Sequence, residues 1–195
     1  MTLVIVDNNH IYSDMLIDQF IYGGKGVSSF ASIKEKGYIN ESKTAICFWR
    51  GELIDKDIFD IILKYMGAEL YNVSVCKKNN VKISVDEVVC EYIEPLIDCL
   101  TENFIIMFSR GVIEADVLSI NGKVRSITAS YINPTTTKIS SNLSNLASAF
   151  YAGTNKDVMM TFKLSSLHTS NISEQFNTYS CSDLTDFMPE KIKGE

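Results

Sequence analysis

Thr2 is the residue from which chemistry is most directly legible in this chain. A threonine with a free amine carries its hydroxyl nucleophile and its base on one carbon skeleton, so it needs no sequence-distant histidine. Met1 precedes it, and an initiator methionine is commonly removed when the next residue is small. A mature chain beginning at Thr2 is therefore expected. The same residues also read as a plain Met-Thr start running into a buried edge strand.

The other reactive residue types fall into patterns with structural explanations. Gly23-Gly24-Lys25-Gly26 combines glycines with a lysine, but it lacks the Walker spacing and a following Lys-Ser or Lys-Thr helix start, so it reads as a turn. Glu87, Glu91, Glu94 and Asp98 recur at the spacing of a solvated helix face, a better fit than a metal or acid-base site. Cys47, Cys76, Cys90, Cys99 and Cys181 are odd in number and include no CxxC pair. They read as buried thiols of a reducing compartment, neither a disulfide framework nor a zinc site. His10 and His168 are isolated and read as turn and loop residues. No metal or cofactor is expected from these patterns.

The elements that must position Thr2 follow from apolar spacing. Thr2 to Val6 is β-branched and apolar, Asp7-Asn8-Asn9 supplies turn chemistry, and His10 to Asp14 can return as a second strand. Val27 to Ile33 and Lys43 to Trp49 read as further strands. Leu53 to Leu70 carries Ile54, Ile58, Ile61, Ile62 and Tyr65 at helical spacing, with Gly67 near its end. Val73 to Ile83 reads as a short hairpin around Lys77-Lys78-Asn79-Asn80. A capping box, Ser84 with Glu87, predicts a second helix whose inner face is Val88, Val89, Tyr92, Ile93 and Leu96, limited by Pro95. Phe104–Phe108, Val112–Ile120 and Lys123–Ile127 predict a meander turned at Asn121-Gly122. Two helices, Leu143 to Gly153 and Lys156 to Leu164, and a strand within Gln175 to Ser180 complete the order, with Ser141 as an N-cap candidate.

The opening MTLVIVDNNHIYSD resembles that of proteasome β-subunits and their short bacterial and phage relatives, members of the N-terminal-nucleophile (Ntn) hydrolases. In that family a threonine nucleophile starts a strand and a buried aspartate ends the return strand; Thr2 and Asp14 match these positions. The resemblance implies an α+β fold, a four-layer αββα sandwich of two antiparallel sheets between helix layers. It also implies a lysine in a Lys-Ile pair beside the threonine. Ser32-Ile33 aligns with that pair, so Ser32 stands where lysine belongs, and Lys34, two residues on and on the same strand face, is the candidate replacement. Gly51 matches the glycine whose backbone N–H stabilises the oxyanion, between the bulky Trp49 and Arg50 on one side and the helix on the other. Ser141 matches the serine that supports the threonine amine. Where the family has Asp-x-x-Ser-Gly, this chain has His168 at the aspartate and Asn171 at the serine.

Length and charge bound the remaining possibilities. The 195 residues suit one domain, 1–183, followed by a polar tail, 184–195, containing Pro189. A net charge of −6 with no basic cluster disfavours a nucleic-acid surface. No apolar run is long enough to span a bilayer, and the start lacks the features of a signal peptide, so a cytoplasmic or virion protein is expected. Lysine outnumbers the three arginines, Arg50, Arg110 and Arg125, and Asn and Ile are frequent, a composition that AT-rich codons produce and that suits a phage. The resemblance implies a threonine-type peptidase or amidase acting on peptide or protein substrates through an acyl-enzyme, without a cofactor, in a homo-oligomer. The alternative is a non-catalytic protein of the same fold that binds a protein partner in structure, assembly or host interaction.

Overall fold

Asparagine tolerates the left-handed backbone region better than most residues with a side chain, and the first turn of the chain uses that property. Asn8 and Asn9 adopt φ of 50° and 64°. Positive φ at both central residues is the requirement of a type I′ hairpin, whose twist matches that of its strands. The predicted hairpin accordingly forms between β1 (Val4–Asp7) and β2 (His10–Asp14), with Val4 opposite Ser13 and Asp7 opposite His10.

The computed structural model describes residues 3–23, 26–33, 35–50, 56–89, 99–120, 123–133, 135–141 and 143–187. Within them the chain is α+β. After the first hairpin come β3 (Leu16–Gly23), β4 (Gly26–Ile33), β5 (Tyr38–Ile39), β6 (Ala45–Arg50), α1 (Lys56–Cys76) and β7 (Val81–Val89). They are followed by β8 (Cys99–Phe108), β9 (Gly111–Ile120), β10 (Lys123–Ile132), β11 (Lys138–Ser140), α2 (Ser144–Gly153), α3 (Val158–His168) and β12 (Phe176–Ser180). Two compact units result, Met1–Gly37 with Pro134–Ser180, and Tyr38–Asn133 with Cys181–Glu195.

The first unit contains a four-stranded antiparallel sheet in the order β11-β1-β2-β12, and β3 pairs with β4 as a separate hairpin. Leu3 and Ile5 pack with Ala147, Tyr151, Phe162 and Ile172, so one face of β1 is covered by α2, α3 and the segment after them. Val4 and Val6 alternate to the other face and are equally buried. Burial on both faces explains an uninterrupted apolar run where a half-exposed strand would alternate with polar residues. Each of these side chains contributes about 1.5–3 kcal/mol on full burial. Phe162 and Phe176 stack with centroids 4.6 Å apart, joining α3 to β12. The α3 helix starts two residues later than predicted, because Asp157 accepts the Met160 N–H at 2.9 Å and serves as its N-cap.

The second unit is a six-stranded antiparallel sheet, β5-β6-β8-β9-β10-β7, packed against α1. Phe59, Ile62, Leu63, Met66, Leu70 and Val73 form a helical stripe, and Phe104, Ile106, Phe108, Ile113, Ala115 and Val117 are the alternating residues that meet it. The predicted meander is present, with β8 beginning earlier, at Cys99. In β10 Arg125 is the extra residue of a bulge between Val124 and Ser126.

Two expectations change here. The helix predicted from the Ser84–Glu87 box is the strand β7 as far as Val89, while residues 90–98 lie outside the described set. Tertiary pairing with β10, from Val81 opposite Ala129 to Val89 opposite Lys123, overrides the capping signal in a β-branched run. The box residues fall at an irregularity of that pairing. Second, α1 continues through Gly67 and the first half of the predicted Val73–Ile83 hairpin, stopping only where Lys77 takes φ 50° and the Lys78 N–H returns to the Val73 carbonyl at 3.2 Å. Of the predicted tail, residues 184–187 are described. Asp186 accepts from Arg110 at 2.7 Å, and Phe187 packs on Tyr71 and Phe108.

Gly67 has a packing reason to be glycine: a Cβ there would lie 2.8 Å from the Phe187 ring. Alanine favours a helix interior over glycine by about 1 kcal/mol. Gly67→Ala is therefore expected to be neutral or destabilising in the wild-type chain and stabilising by up to about 1 kcal/mol in a Phe187→Ala background. Urea denaturation of the four-member cycle measures this coupling.

Candidate functional site

Asp14 ends β2, and its side chain has no exposure to solvent. A carboxylate removed from water costs several kcal/mol unless its charge and lone pairs are satisfied. Four donors do so. Oδ1 accepts the Leu3 N–H at 2.8 Å and the Lys36 ammonium at 3.0 Å, and Oδ2 accepts Lys36 at 2.9 Å and the Leu16 N–H at 3.3 Å. The Asp14 N–H in turn donates to the Leu3 carbonyl at 3.1 Å, so the backbone at residue 3 is held to residue 14 twice. Met15 donates to the Gln175 carbonyl at 3.2 Å, which fixes the bend into β3 against the approach to β12.

Lys36 lies in the short segment between β4 and β5 and is only 10% exposed at its side chain. Its ammonium pairs with Asp14, whereas the resemblance points to Lys34 as the lysine beside Thr2. Lys34, Thr2 and Gly51 lie outside the described residues; Thr2 is joined through its carbonyl to the Leu3 nitrogen that Asp14 holds. The signals for Lys36 were slight: it shares strand parity with Lys34 and precedes Gly37. An ion pair closed across 22 residues of chain has no spacing rule by which to find it.

Ser141 is buried and follows β11, where Ser140 stands opposite Val4. One residue further along that register, Ser141 is level with Leu3. Its Oγ accepts the Leu143 N–H at 3.1 Å, in a turn that precedes α2, and the N-cap position itself is Leu143. Asp14, Leu3, Lys36 and Ser141 thus all belong to the first unit. His10 Nδ1 donates to the Asn8 carbonyl in the first turn at 2.9 Å, and the ring of His168, at the end of α3, lies 5.1 Å from that of Phe150 between centroids. Asn171 donates its N–H to Thr169 Oγ1. Neither histidine approaches a carboxylate in a contact seen among the described residues.

Three free thiols are described: Cys47 and Cys181 are buried and Cys76 is exposed. Burial pushes the Cys181 thiol up to about 11, so its thiolate is scarce near neutrality. Among the described residues no group of three His, Cys, Asp or Glu is placed to hold a metal ion, and no helix is long and apolar enough to cross a membrane.

No protein-family model matches the sequence, and no curated protein matches it. Among solved structures, the chain is similar to "Thiobacillus denitrificans BPH in complex with Epoxomicin", with a TM-score of 0.48 and 11% identity, over 92% of this chain and 97% of that one.

Removing one partner of a buried ion pair strands the other charge. Asp14→Asn is expected to destabilise the protein by about 3–5 kcal/mol in urea denaturation, and the double variant Asp14→Asn/Lys36→Met is expected to recover much of that loss. In the native protein at pH 8, iodoacetamide is expected to alkylate Cys76 and to spare Cys181, whose thiolate fraction is about a hundredfold below that of an unperturbed thiol. Peptide mapping by mass spectrometry reads both sites.

Proposed function

We propose that this protein is a proteasome β-like N-terminal threonine hydrolase that cleaves peptide or amide bonds through an acyl-enzyme. The observation that carries the reading is the buried Asp14 carboxylate holding the Leu3 N–H at 2.8 Å and the Lys36 ammonium at 2.9 Å. The nitrogen so held is the one bonded to Thr2. The fold thus fixes an anion and a cation at the peptide nitrogen that follows Thr2 in the chain, and the hydroxyl and amine of Thr2 are groups that can perform nucleophilic catalysis. The sequence resemblance of residues 1–14 and the α+β content, with α2 and α3 on the four-stranded sheet and α1 on the six-stranded one, support the same reading.

In this reading the peptide bond before Thr2 is cleaved to free its amine. The Thr2 hydroxyl oxygen then attacks the substrate carbonyl carbon, and its proton passes to the Thr2 amine. The nearby ammonium favours the oxyanion character that develops on the hydroxyl as the proton leaves. Collapse of the tetrahedral intermediate breaks the C–N bond, the proton goes to the departing amine, and an ester on Thr2 remains. Water, deprotonated by the same amine, hydrolyses that ester and regenerates the hydroxyl. Lys36 takes the charge-stabilising role, Asp14 orients Lys36 and the backbone, Gly51 supplies the oxyanion donor, and Ser141 supports the amine. Peptides and proteins are the substrate class.

A panel of fluorogenic peptides tests the proposal. Thr2→Ala is expected to abolish turnover without altering stability. Against the parent, the double variant Asp14→Asn/Lys36→Met is expected to remain folded and to lose about a hundredfold or more in kcat. Turnover that survives Thr2→Ala would overturn the assignment.

A further inference from the structure

Lysine has one of the most mobile side chains, and immobilising it costs up to about 2 kcal/mol of rotamer entropy. Lys36 nevertheless meets both oxygens of Asp14 from residues 35–37, a segment in neither helix nor strand. Something must hold that backbone in place. The neighbouring residue, Glu35, is exposed, yet its carboxylate accepts a short hydrogen bond from the hydroxyl of Tyr179, which is 8% exposed. Tyr179 belongs to β12 and stands opposite Ile11 of β2, so its position is set by the sheet. Asn177, two residues earlier on the same strand, donates to the Tyr179 oxygen at 3.3 Å and orients it. Phe176, at the other end of β12, stands opposite Asp14.

We infer that Tyr179 is a positioning residue for Lys36: its hydroxyl latches Glu35 to β12 and thereby places the adjacent ammonium on Asp14. Strand β12 registers both halves of the pair, Asp14 directly through Phe176 and Lys36 indirectly through Tyr179. The hydroxyl remains a donor throughout the neutral range, because burial and the Glu35 carboxylate both raise its pKa. The inference rests on the role of Lys36 proposed above, but the latch itself is a property of the resting protein and is measurable without turnover.

The experiment is trace acetylation of the folded full chain with an amine-selective reagent, quantified at each lysine by mass spectrometry. In the wild type Lys36 is expected to be protected relative to the exposed Lys64, Lys82 and Lys163. Tyr179→Phe, and independently Glu35→Ala at the exposed end of the latch, are expected to raise labelling at Lys36 about tenfold while the other lysines stay unchanged. Glu35→Gln keeps an acceptor oxygen for the tyrosine and is expected to retain protection. Asp14→Asn, which removes the partner itself, sets the fully released level. Equal protection of Lys36 in the wild type, Tyr179→Phe and Glu35→Ala would overturn the latch. So would a uniform rise at every lysine, which marks loss of the fold instead of release of one side chain. If peptide turnover is absent from all variants, the hydrolase reading fails and the labelling result still decides the latch. If turnover is present, Tyr179→Phe is expected to lower kcat about tenfold with KM unchanged.

Discussion

A carboxylate with no access to water is tolerated only where every lone pair and the full charge are answered, and Asp14 is such a group. Its partners come from three separate stretches: the backbone at Leu3, the backbone at Leu16 and the ammonium of Lys36. One side chain therefore ties the start of β1, the bend from β2 into β3 and the segment leaving β4. Replacing such a pair with apolar residues of similar volume is often neutral or stabilising in proteins, so stability alone gives little reason to keep it. In the proposed reaction, its position beside the peptide nitrogen that follows Thr2 supplies a chemical reason. The buried pair links local packing to the proposed reaction, because the burial that makes it costly also keeps its field from being screened.

Much of the first unit was legible because its signals are local. The Asn8-Asn9 turn, the apolar Leu3–Val6 run and the two closing helices each depend on residues close in sequence. Asp14 could be read as buried only through the family resemblance, and the signals for Lys36 are slight. Its partner is distant in sequence, and the intervening β3–β4 hairpin determines where the chain returns. The resemblance points to Ser32 and Lys34, and nothing in their spacing indicates that an ammonium from the segment beyond β4 pairs with Asp14.

The second unit shows the opposite failure, a local signal that misled. Ser84 and Glu87 satisfy the capping-box pattern, yet they lie in β7, where Val81, Ile83, Val88 and Val89 pair with β10. Pairing along a β-branched edge outweighs a cap worth about 1 kcal/mol. Gly67 misled in the same way. Its conformational cost in a helix suggests an end, but the close approach of Phe187 explains its presence in mid-helix. In both places a long-range neighbour decides the conformation, and a single sequence does not reveal that neighbour.

The proposed chemistry needs a free amine on Thr2, since that group is the base. The most direct measurement is the intact mass of the protein purified from its natural context, with the N-terminal peptide identified by fragmentation. A chain that begins at Thr2 is the predicted result. A chain that retains Met1, or any longer extension, would leave Thr2 acylated through its own peptide bond and would contradict the proposed mechanism.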